Sequence, residues 1–273
     1  MHIIIKNDVE LPNPLATVLQ PIVEIDGETL FIHAVECLTR GPRGSAIEQA
    51  PPLFAFVREH GLEFPMDRAC VTRALRTAAV CSDVRVAINV HPATLADERD
   101  FVRFLIQHSI ACGIDLSRLI VEIGEQTPAP DARQFQRNVC RLRNYGVHIA
   151  VDDVGFGHSN YKAILDCRPD YLKIDRYFVQ QVATDPARQA VIRSICDLAD
   201  FFGAVVVAEG VETTEDDEVL RHMGIRFFQG FLYGGPAAVT DASAAASNEP
   251  TQLRWYRRLS ARRSAARAVA AAK

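Results

Sequence analysis

Two adjacent carboxylates, Asp152 and Asp153, directly follow an apolar run at residues 147–151, and a glycine-punctuated loop comes after them. A short run of apolar or nearly apolar residues between turn residues is typical of a strand in a parallel sheet, where both faces are covered. Like charges held side by side raise each other's pKa unless a cation lies between them. The pair therefore indicates either a cation site or a solvated Asp-Asp turn, and taken alone it favours neither.

Strand-like and helix-like segments alternate along most of the chain. Two strand-like runs, at about residues 18–25 and 29–36, flank Asp26-Gly27, which predicts a hairpin and a first strand antiparallel to the second. The further predicted strands lie near residues 84–88, 119–123, 147–151, 171–174, 204–208 and 225–228. The predicted helices lie near residues 53–60, 66–79, 100–112, 131–145, 161–167, 187–202 and 215–222. This pattern predicts an α/β fold, a modified TIM (β/α)8 barrel with a reversed first strand; a doubly wound open sheet is the alternative.

Polar residues at the ends of the predicted strands favour the barrel. A single one of them usually marks only the start of a polar loop. Here seven strands end in one, and the carboxyl ends of barrel strands meet at the face where such barrels carry their chemistry. So many carboxylates would repel one another without a cation. The strand-end residues are Glu36, Asn89, Glu122, the Asp152-Asp153 pair, Lys173, Glu209 and Gln229.

The chemistry of these side chains indicates which cation they take. Carboxylates and an amide oxygen, without cysteine or histidine, suit hard divalent ions such as Mg²⁺ or Mn²⁺ rather than zinc. Two adjacent aspartates further indicate two ions with one bridging carboxylate, the usual arrangement for attack of water on a phosphodiester. Lys173 lies inside the apolar run YLKI, so it is predicted to orient that water or neutralise charge rather than face solvent.

The composition of the chain indicates its size class, its partners and its cellular location. The chain has 273 residues and 48% hydrophobic content, enough for a barrel with a full core. Its formal net charge of -4 argues against nucleic acid as a partner of the whole surface. Seven cysteines without a C-x-x-C pair favour reduced thiols in a cytoplasmic protein. The first residues lack a signal-peptide pattern, and no apolar run approaches membrane-spanning length.

Taken together, the motifs resemble those of the EAL-domain cyclic di-GMP phosphodiesterases over about residues 19–236. The matching motifs are AVECLTR with Glu36, INVHPATL with Asn89, LIVEIGE with Glu122 and Glu125, AVDDVGFG with Asp152 and Asp153, YLKID with Lys173, AEGVET with Glu209 and FQGFLYGGP with Gln229. The resemblance implies a cytoplasmic hydrolase of bacterial second-messenger signalling that converts cyclic di-GMP to linear pGpG. It also implies a homodimer through the barrel.

The resemblance further implies a role for each matching residue. Lys173 and Gln229 would position the attacking water, and Glu209 would act as general base. The residues that would hold two Mg²⁺ or Mn²⁺ ions are Glu36, Asn89, Glu122, Asp152, Asp153 and Glu209, with Asp152 bridging the ions. The residues that would contact the substrate are Gln20, Pro21, Leu38 and Arg40. Glu125 would brace the loop at residues 154–159.

Some positions differ from the family pattern, and other functions stay open. His91 stands where serine is usual, and the loop after Asp153 reads VGFGHSNYKAI where FGTGYSSL is typical. The main alternative is a catalytically weak or silent EAL domain that acts as a cyclic di-GMP receptor or protein-interaction module. A barrel enzyme for a different phosphoester is a third option. A dinucleotide site at the G-x-G loop is disfavoured, because the third glycine is absent and two carboxylates would repel a pyrophosphate.

Three regions are predicted along the chain: an entry segment at residues 1–17, the barrel at 18–240 and a tail at 241–273. The tail is rich in alanine and arginine and carries no acidic residue after Glu249. It is predicted to be either a solvated helix or disordered end, or a basic helix that contacts a protein partner or an anionic surface.

Overall fold

The structure is a computed structural model that describes residues 4–5, 9–10, 14–97, 100–124, 131–155 and 160–238. The strands are β1 (Ile4–Ile5), β2 (Val9–Glu10), β3 (Ala16–Asp26), β4 (Thr29–Arg40), β5 (Arg85–Asn89), β6 (Leu119–Gly124), β7 (His148–Val154), β8 (Tyr171–Ile174), β9 (Val205–Ala208), β10 (Phe227–Phe228) and β11 (Ala237–Ala238). The helices are α1 (Ala50–Glu59), α2 (Glu63–Ala78), α3 (Pro92–Leu95), α4 (Phe101–Ala111), α5 (Ala132–Asn144), α6 (Asn160–Cys167), α7 (Arg176–Val179), α8 (Pro186–Phe202) and α9 (Thr214–His222).

Strands β3 to β10 form a closed barrel. From β4 to β10 each strand pairs with the next in parallel, whereas β3 is antiparallel to both β4 and β10 and so closes the ring. Strand β11 pairs antiparallel with the N-terminal part of β3, opposite Val18 and Leu19. The predicted barrel with a reversed first strand is therefore confirmed, and the open-sheet alternative is wrong because β3 joins both edges.

The hairpin between β3 and β4 accounts for the reversed first strand. Gly27 has φ +60°, a left-handed conformation that glycine adopts without the steric cost of a Cβ. The predicted hairpin is confirmed, but Asp26 is the last residue of β3 and pairs with Thr29, so Gly27 and Glu28 form the turn. The ladder shifts register between Ile22 and Val23, so His33 is an extra residue opposite that step.

Alternation along the strands divides the hydrophobic residues into two cores. Every second side chain points into the barrel, because successive residues of a strand face opposite sides. The interior contains a compact layer of Ile22, Ala34, Ala87, Ile120, Ala150, Tyr171 and Val207. The larger core lies between the strands and the surrounding helices, and includes Leu75, Leu105, Leu142 and Ile192.

Helices α1, α2, α4, α5, α6, α8 and α9 match the predicted segments, whereas the short α3 and α7 were not predicted. Asp131 caps α5 by accepting hydrogen bonds from the backbone N–H groups of Arg133 and Gln134, as expected for this residue. Gly203, with φ +67°, ends α8. Among the described residues, no helix is both long enough and apolar enough to cross a membrane. The predicted tail at 241–273 lies outside the described residues.

Candidate functional site

Lys173 lies at the centre of a carboxylate cluster at the mouth formed by the carboxyl ends of the parallel strands. Its Nζ is 2.7 Å from Glu209 Oε1 and 3.0 Å from both Glu122 Oε1 and Asp152 Oδ1. Glu36 Oε2 is 3.5 Å away. The Lys173 side chain is almost fully buried, which by itself lowers its pKa; the four carboxylates outweigh burial and raise that pKa well above its ordinary value.

Two amide side chains hold the Glu36 carboxylate. Asn89 Nδ2 donates to Glu36 Oε1 at 2.8 Å, and Gln229 Nε2 donates to Oε2 at 2.6 Å. Burial opposes ionisation of Glu36, but the Lys173 charge and these hydrogen bonds outweigh it and lower the pKa of Glu36. Glu36 is therefore an ionised acceptor, as a metal ligand must be.

Asp153 reaches the cluster through an unusual backbone conformation. It has φ +57°, and the pairing between β7 and β8 is irregular from Val151 to Val154. In regular strand geometry the side chains of Asp152 and Asp153 would face opposite sides of the sheet. Here their carboxylates and that of Glu209 lie together, because one oxygen of each is within 4.8 Å of the others. Left-handed conformation at a non-glycine residue is a strain that is often found at functional sites.

The carboxylates perturb one another strongly. Burial first, and then the neighbouring Glu36, raises the pKa of Glu122 well above its ordinary value. Burial and Asp152 do the same for the pKa of Glu209. Burial, followed by the Asp152 charge, raises the pKa of Asp153 to about 6. One ammonium group thus does not neutralise the cluster, so the carboxylates favour protons or further cations.

The side chains fit divalent cations. Glu36, Glu122 and Asp152 form one group of oxygens within 4.8 Å of one another, and Asp152, Asp153 and Glu209 form a second. The two groups share Asp152, the residue predicted to bridge. Two buried oxygens at this site, Glu122 Oε2 and Gln229 Oε1, receive no hydrogen bond from a described residue. An all-oxygen set of this kind suits hard ions such as Mg²⁺, Mn²⁺ or Ca²⁺.

The residues predicted to contact substrate are less closely grouped. Leu38 lines a cavity of about 540 Å³ together with Glu36, Asn89, Asp152 and Asp153. The described lining of that cavity does not include the other three residues, Gln20, Pro21 and Arg40. Their substrate contacts stay predictions, as does the bracing role of Glu125, which lies outside the described residues.

Each of those three residues has a defined place nonetheless. Gln20 pairs with Glu36 across the hairpin, and its Nε2 donates to the Gly234 carbonyl at 3.2 Å. Pro21 is buried, and as the next residue on the strand it faces the other side of the sheet. Arg40 ends β4, with its Nη1 donating to the Thr39 carbonyl at 2.9 Å.

The cavity also brings in residues that the sequence did not single out as a site, among them Arg58, Glu63 and Asp67. Asp67 is buried and accepts a hydrogen bond from the His91 backbone N–H at 2.9 Å. Burial raises the pKa of Asp67 to about 7. The sequence contained a signal for Asp67, because an acidic residue among the buried positions of an amphipathic helix requires a partner.

His91 was noted in the sequence only as a departure from the family pattern. Its Nδ1 accepts a hydrogen bond from the Ala93 backbone N–H at 3.2 Å and thereby caps α3. Burial lowers the pKa of His91, while the nearby Glu63 carboxylate raises it and the Arg58 guanidinium lowers it. Arg58, Glu63 and His91 all line the cavity.

Comparison with known proteins places this geometry in context. The family model described as the EAL domain matches residues 11–236. The chain is 32% identical over 246 residues to an uncharacterised protein of Mycobacterium tuberculosis. This match covers 85% of the chain and 39% of that protein. It is 30% identical over 227 residues to the cyclic di-GMP phosphodiesterase PdeF of Escherichia coli, covering 81% of the chain and 30% of PdeF. The chain thus spans less than half the length of these relatives.

A solved structure shows the same fold. BlrP1 of Klebsiella pneumoniae, in a complex with calcium and cy-diGMP, superimposes with a TM-score of 0.72 at 29% sequence identity. The match covers 82% of the present chain and 56% of the BlrP1 chain.

Proposed function

Since this chain belongs to the EAL domain family, we propose that it is a divalent-metal-dependent phosphodiesterase that hydrolyses cyclic di-GMP to linear pGpG. The observation that carries the proposal is the pair of three-carboxylate groups that share Asp152 beside the buried Lys173. The name of the relative PdeF and the ligands of BlrP1 support the choice of substrate.

The ion ligands follow from the two groups. Glu36, Glu122 and Asp152, with Asn89, would hold one Mg²⁺ or Mn²⁺ ion; Asp152, Asp153 and Glu209 would hold the other. Asn89 donates to Glu36 through Nδ2, so its amide oxygen is the atom that it can offer to an ion. Bound there, the ions supply Lewis acidity and make water a better nucleophile at neutral pH.

The remaining chemistry belongs to the side chains. Glu209 is the candidate general base, because burial and Asp152 give its carboxylate a higher affinity for a proton than an ordinary glutamate has. Lys173 cannot accept that proton, since its four carboxylate contacts keep it charged; it orients the water and balances charge. Gln229 donates to Glu36 through Nε2, so its Oε1 is an acceptor available to a water hydrogen.

We also propose that the protein acts in the cytoplasm. All seven cysteines have free thiols, which suits the reducing cytoplasm. The homodimer through the barrel and the protein or anionic-surface partner of residues 241–273 stay predictions.

The direct test incubates the purified 273-residue chain with cyclic di-GMP and Mg²⁺ or Mn²⁺, and separates the products by chromatography. We expect pGpG to form in the presence of the metal ion. EDTA should abolish its formation, and the Glu36→Ala variant should form only a background amount. Circular dichroism shows whether the variant is folded. Absence of metal-dependent pGpG from the folded wild-type protein would refute the enzyme, and tight binding without turnover would support the receptor alternative.

A further inference from the structure

Residues 229–234, which we name the β10 loop, begin with Gln229 at the end of β10 and include the fully buried Tyr233. The backbone N–H of Tyr233 donates to the Gly230 carbonyl at 3.0 Å. The Tyr233 ring packs on Phe228, the residue before Gln229, with 5.7 Å between the ring centroids. Both chain neighbours of Gln229, Phe228 and Gly230, therefore contact Tyr233.

The β10 loop also packs against the loop that follows β9. The Val211 N–H donates to the Gln229 carbonyl at 3.0 Å, and the Leu232 N–H donates to the Val211 carbonyl at 3.1 Å. A Cβ added at Gly230 would lie 2.1 Å from the Val211 carbonyl oxygen, so the two backbones are in direct contact. The backbone of Gln229 and the side chain of Tyr233 are thus parts of one closely packed unit.

The Tyr233 hydroxyl joins this unit to helix α9, because it donates a hydrogen bond to the buried Asp217 carboxylate. Asp217 lies in the first turn of α9, where the helix dipole favours a negative charge. Burial of a carboxylate is costly unless it is hydrogen-bonded, so the pair holds the tyrosine to the helix. Asp216 anchors the same turn by accepting from the backbone N–H groups of Gln181 and Ala183, at 3.2 and 3.0 Å. Asp217 is therefore a fixed point for the β10 loop.

The side chain at the start of the β10 loop reaches the carboxylate cluster. Gln229 Nε2 donates to Glu36 Oε2 at 2.6 Å, so the position of this amide affects the orientation of the Glu36 carboxylate. We propose that Tyr233 and Asp217 are positioning residues that hold Gln229 against Glu36 and thereby raise the affinity of the cluster for a divalent ion. Hydrogen-bond partners of metal ligands commonly contribute about 10–100-fold to metal affinity. The inference rests on the proposed function for the role of Glu36 as a metal ligand.

The test measures the affinity of the 273-residue chain for Mn²⁺ by calorimetry, which requires no turnover. Tyr233→Phe keeps the buried ring and removes the hydroxyl. Asp217→Ala removes the acceptor, whereas Asp217→Asn keeps an acceptor oxygen. Each substitution is made in the wild-type chain and in Gln229→Ala. Tyr145→Phe is the matched control, because it removes the hydroxyl of an exposed tyrosine at the end of α5.

Gln229→Ala should weaken Mn²⁺ binding about tenfold, since Glu36 loses a hydrogen bond that orients it. Tyr233→Phe and Asp217→Ala should each weaken it about fourfold, whereas Asp217→Asn and Tyr145→Phe should stay within about twofold of wild type. In the Gln229→Ala background, Tyr233→Phe should cause no further loss, because effects that pass through one shared group are not additive. A purely structural role would lower the affinity by the same factor in both backgrounds.

The outcomes separate this inference from the proposed function. A non-additive loss of Mn²⁺ affinity, in a protein that forms no pGpG, supports the positioning role and refutes hydrolysis. Formation of pGpG with unchanged Mn²⁺ affinity in Tyr233→Phe overturns the positioning role and leaves hydrolysis intact. Equal losses in the two backgrounds overturn it as well, and so does a wild-type protein that does not bind Mn²⁺.

Thermal melting without metal shows whether each variant is folded. If Asp217→Ala does not fold, Tyr233→Phe decides the question, because it keeps the buried ring and changes a single atom.

Discussion

At one end of the barrel interior Lys173 lies among four carboxylates, whereas Tyr171, two residues earlier on the same strand, makes a neutral contact at the other end. The Tyr171 hydroxyl and His33 Nε2 are 3.0 Å apart. The His33 ring packs edge-on against Phe227, with 4.8 Å between ring centroids. Both ends thus bury polar groups, but at the carboxyl end four carboxylates surround a single ammonium group, so negative charge is in excess there.

The buried atoms left without a partner distinguish the two ends further. At the carboxyl end, Glu122 Oε2 and Gln229 Oε1 receive no hydrogen bond from the described residues, and both are acceptors. At the opposite end, the corresponding atom is Arg85 Nε, a donor. A cation can be bound by the unpaired oxygens of Glu122 and Gln229, whereas Arg85 Nε, as a donor, cannot bind one. Burial of polar groups alone does not mark a metal site; the sign of what remains unsatisfied does.

The interior layer, which includes the ring of Tyr171, lies between the polar groups of the two ends. Ala87 and Ala150 lie two positions before Asn89 and Asp152 on their strands, and Ala34 lies two positions before Glu36. Because these side chains are short and apolar, they form no hydrogen-bond path between the two clusters. We expect changes at one end to leave the chemistry of the other unaffected.

The largest effect is expected from Asp152→Asn, which removes the carboxylate common to both ion groups. Activity with Mn²⁺ should fall at least about a thousandfold, since the ions supply several kcal/mol of transition-state stabilisation. The rise in melting temperature on adding Mn²⁺ should disappear with it. Asp26→Asn, which changes an exposed carboxylate at the end of β3, is the control. Retention of a tenth of the wild-type activity would contradict this assignment.

Lys173→Met should have the largest effect on stability. It leaves four carboxylates without their cation, and loss of one partner from a buried ion cluster costs about 3–5 kcal/mol. Urea unfolding without metal measures this loss, and added Mn²⁺ should recover part of it. Lys162→Met removes an exposed lysine paired with Asp166 and should cost at most about 0.5 kcal/mol. Equal effects of the two substitutions would show that the cluster is not under electrostatic strain.

His33 should make the opposite end sensitive to acid. Burial, with Arg85 and His148 adding to it, lowers the pKa of His33 to about 4, and the facing Glu24 carboxylate, at 3.9 Å, does not reverse the shift. At His33 the unfolded chain therefore binds a proton more readily than the folded chain between pH 6.5 and 4, so the contribution of this group to stability is lost as pH falls through that window. The loss should reach at most about 3 kcal/mol.

His33→Asn removes this titration, so between pH 6.5 and 4 the variant should gain stability relative to wild type as the pH falls. His60→Asn, at an exposed histidine of the loop after α1, is the control and should retain the wild-type slope. If wild type and His33→Asn lose stability in parallel, the protonation of His33 is not the cause.

The sequence predicted the carboxyl end of the barrel much better than the opposite end. Strand-end residues such as Glu122 and Lys173 stand out because a polar residue that ends an apolar run is visible in the sequence itself. The position of Asp153 was not predictable, since it depends on a left-handed backbone conformation and a local break in pairing. His33 was equally hidden, because the register shift in the hairpin directs it towards Tyr171.

The smallest expected effect, that of Tyr171→Phe, tests whether the two ends are independent. The substitution keeps the ring in the interior core and removes only the hydroxyl that contacts His33, so the free energy of unfolding should fall by about 1 kcal/mol. The rate of cyclic di-GMP hydrolysis should stay within about twofold, because the Tyr171 hydroxyl contacts His33 rather than the carboxylate cluster. A tenfold loss of activity in folded protein would show that the contact at one end positions Lys173 at the other. The barrel interior would then act as one connected unit rather than as two separate ends.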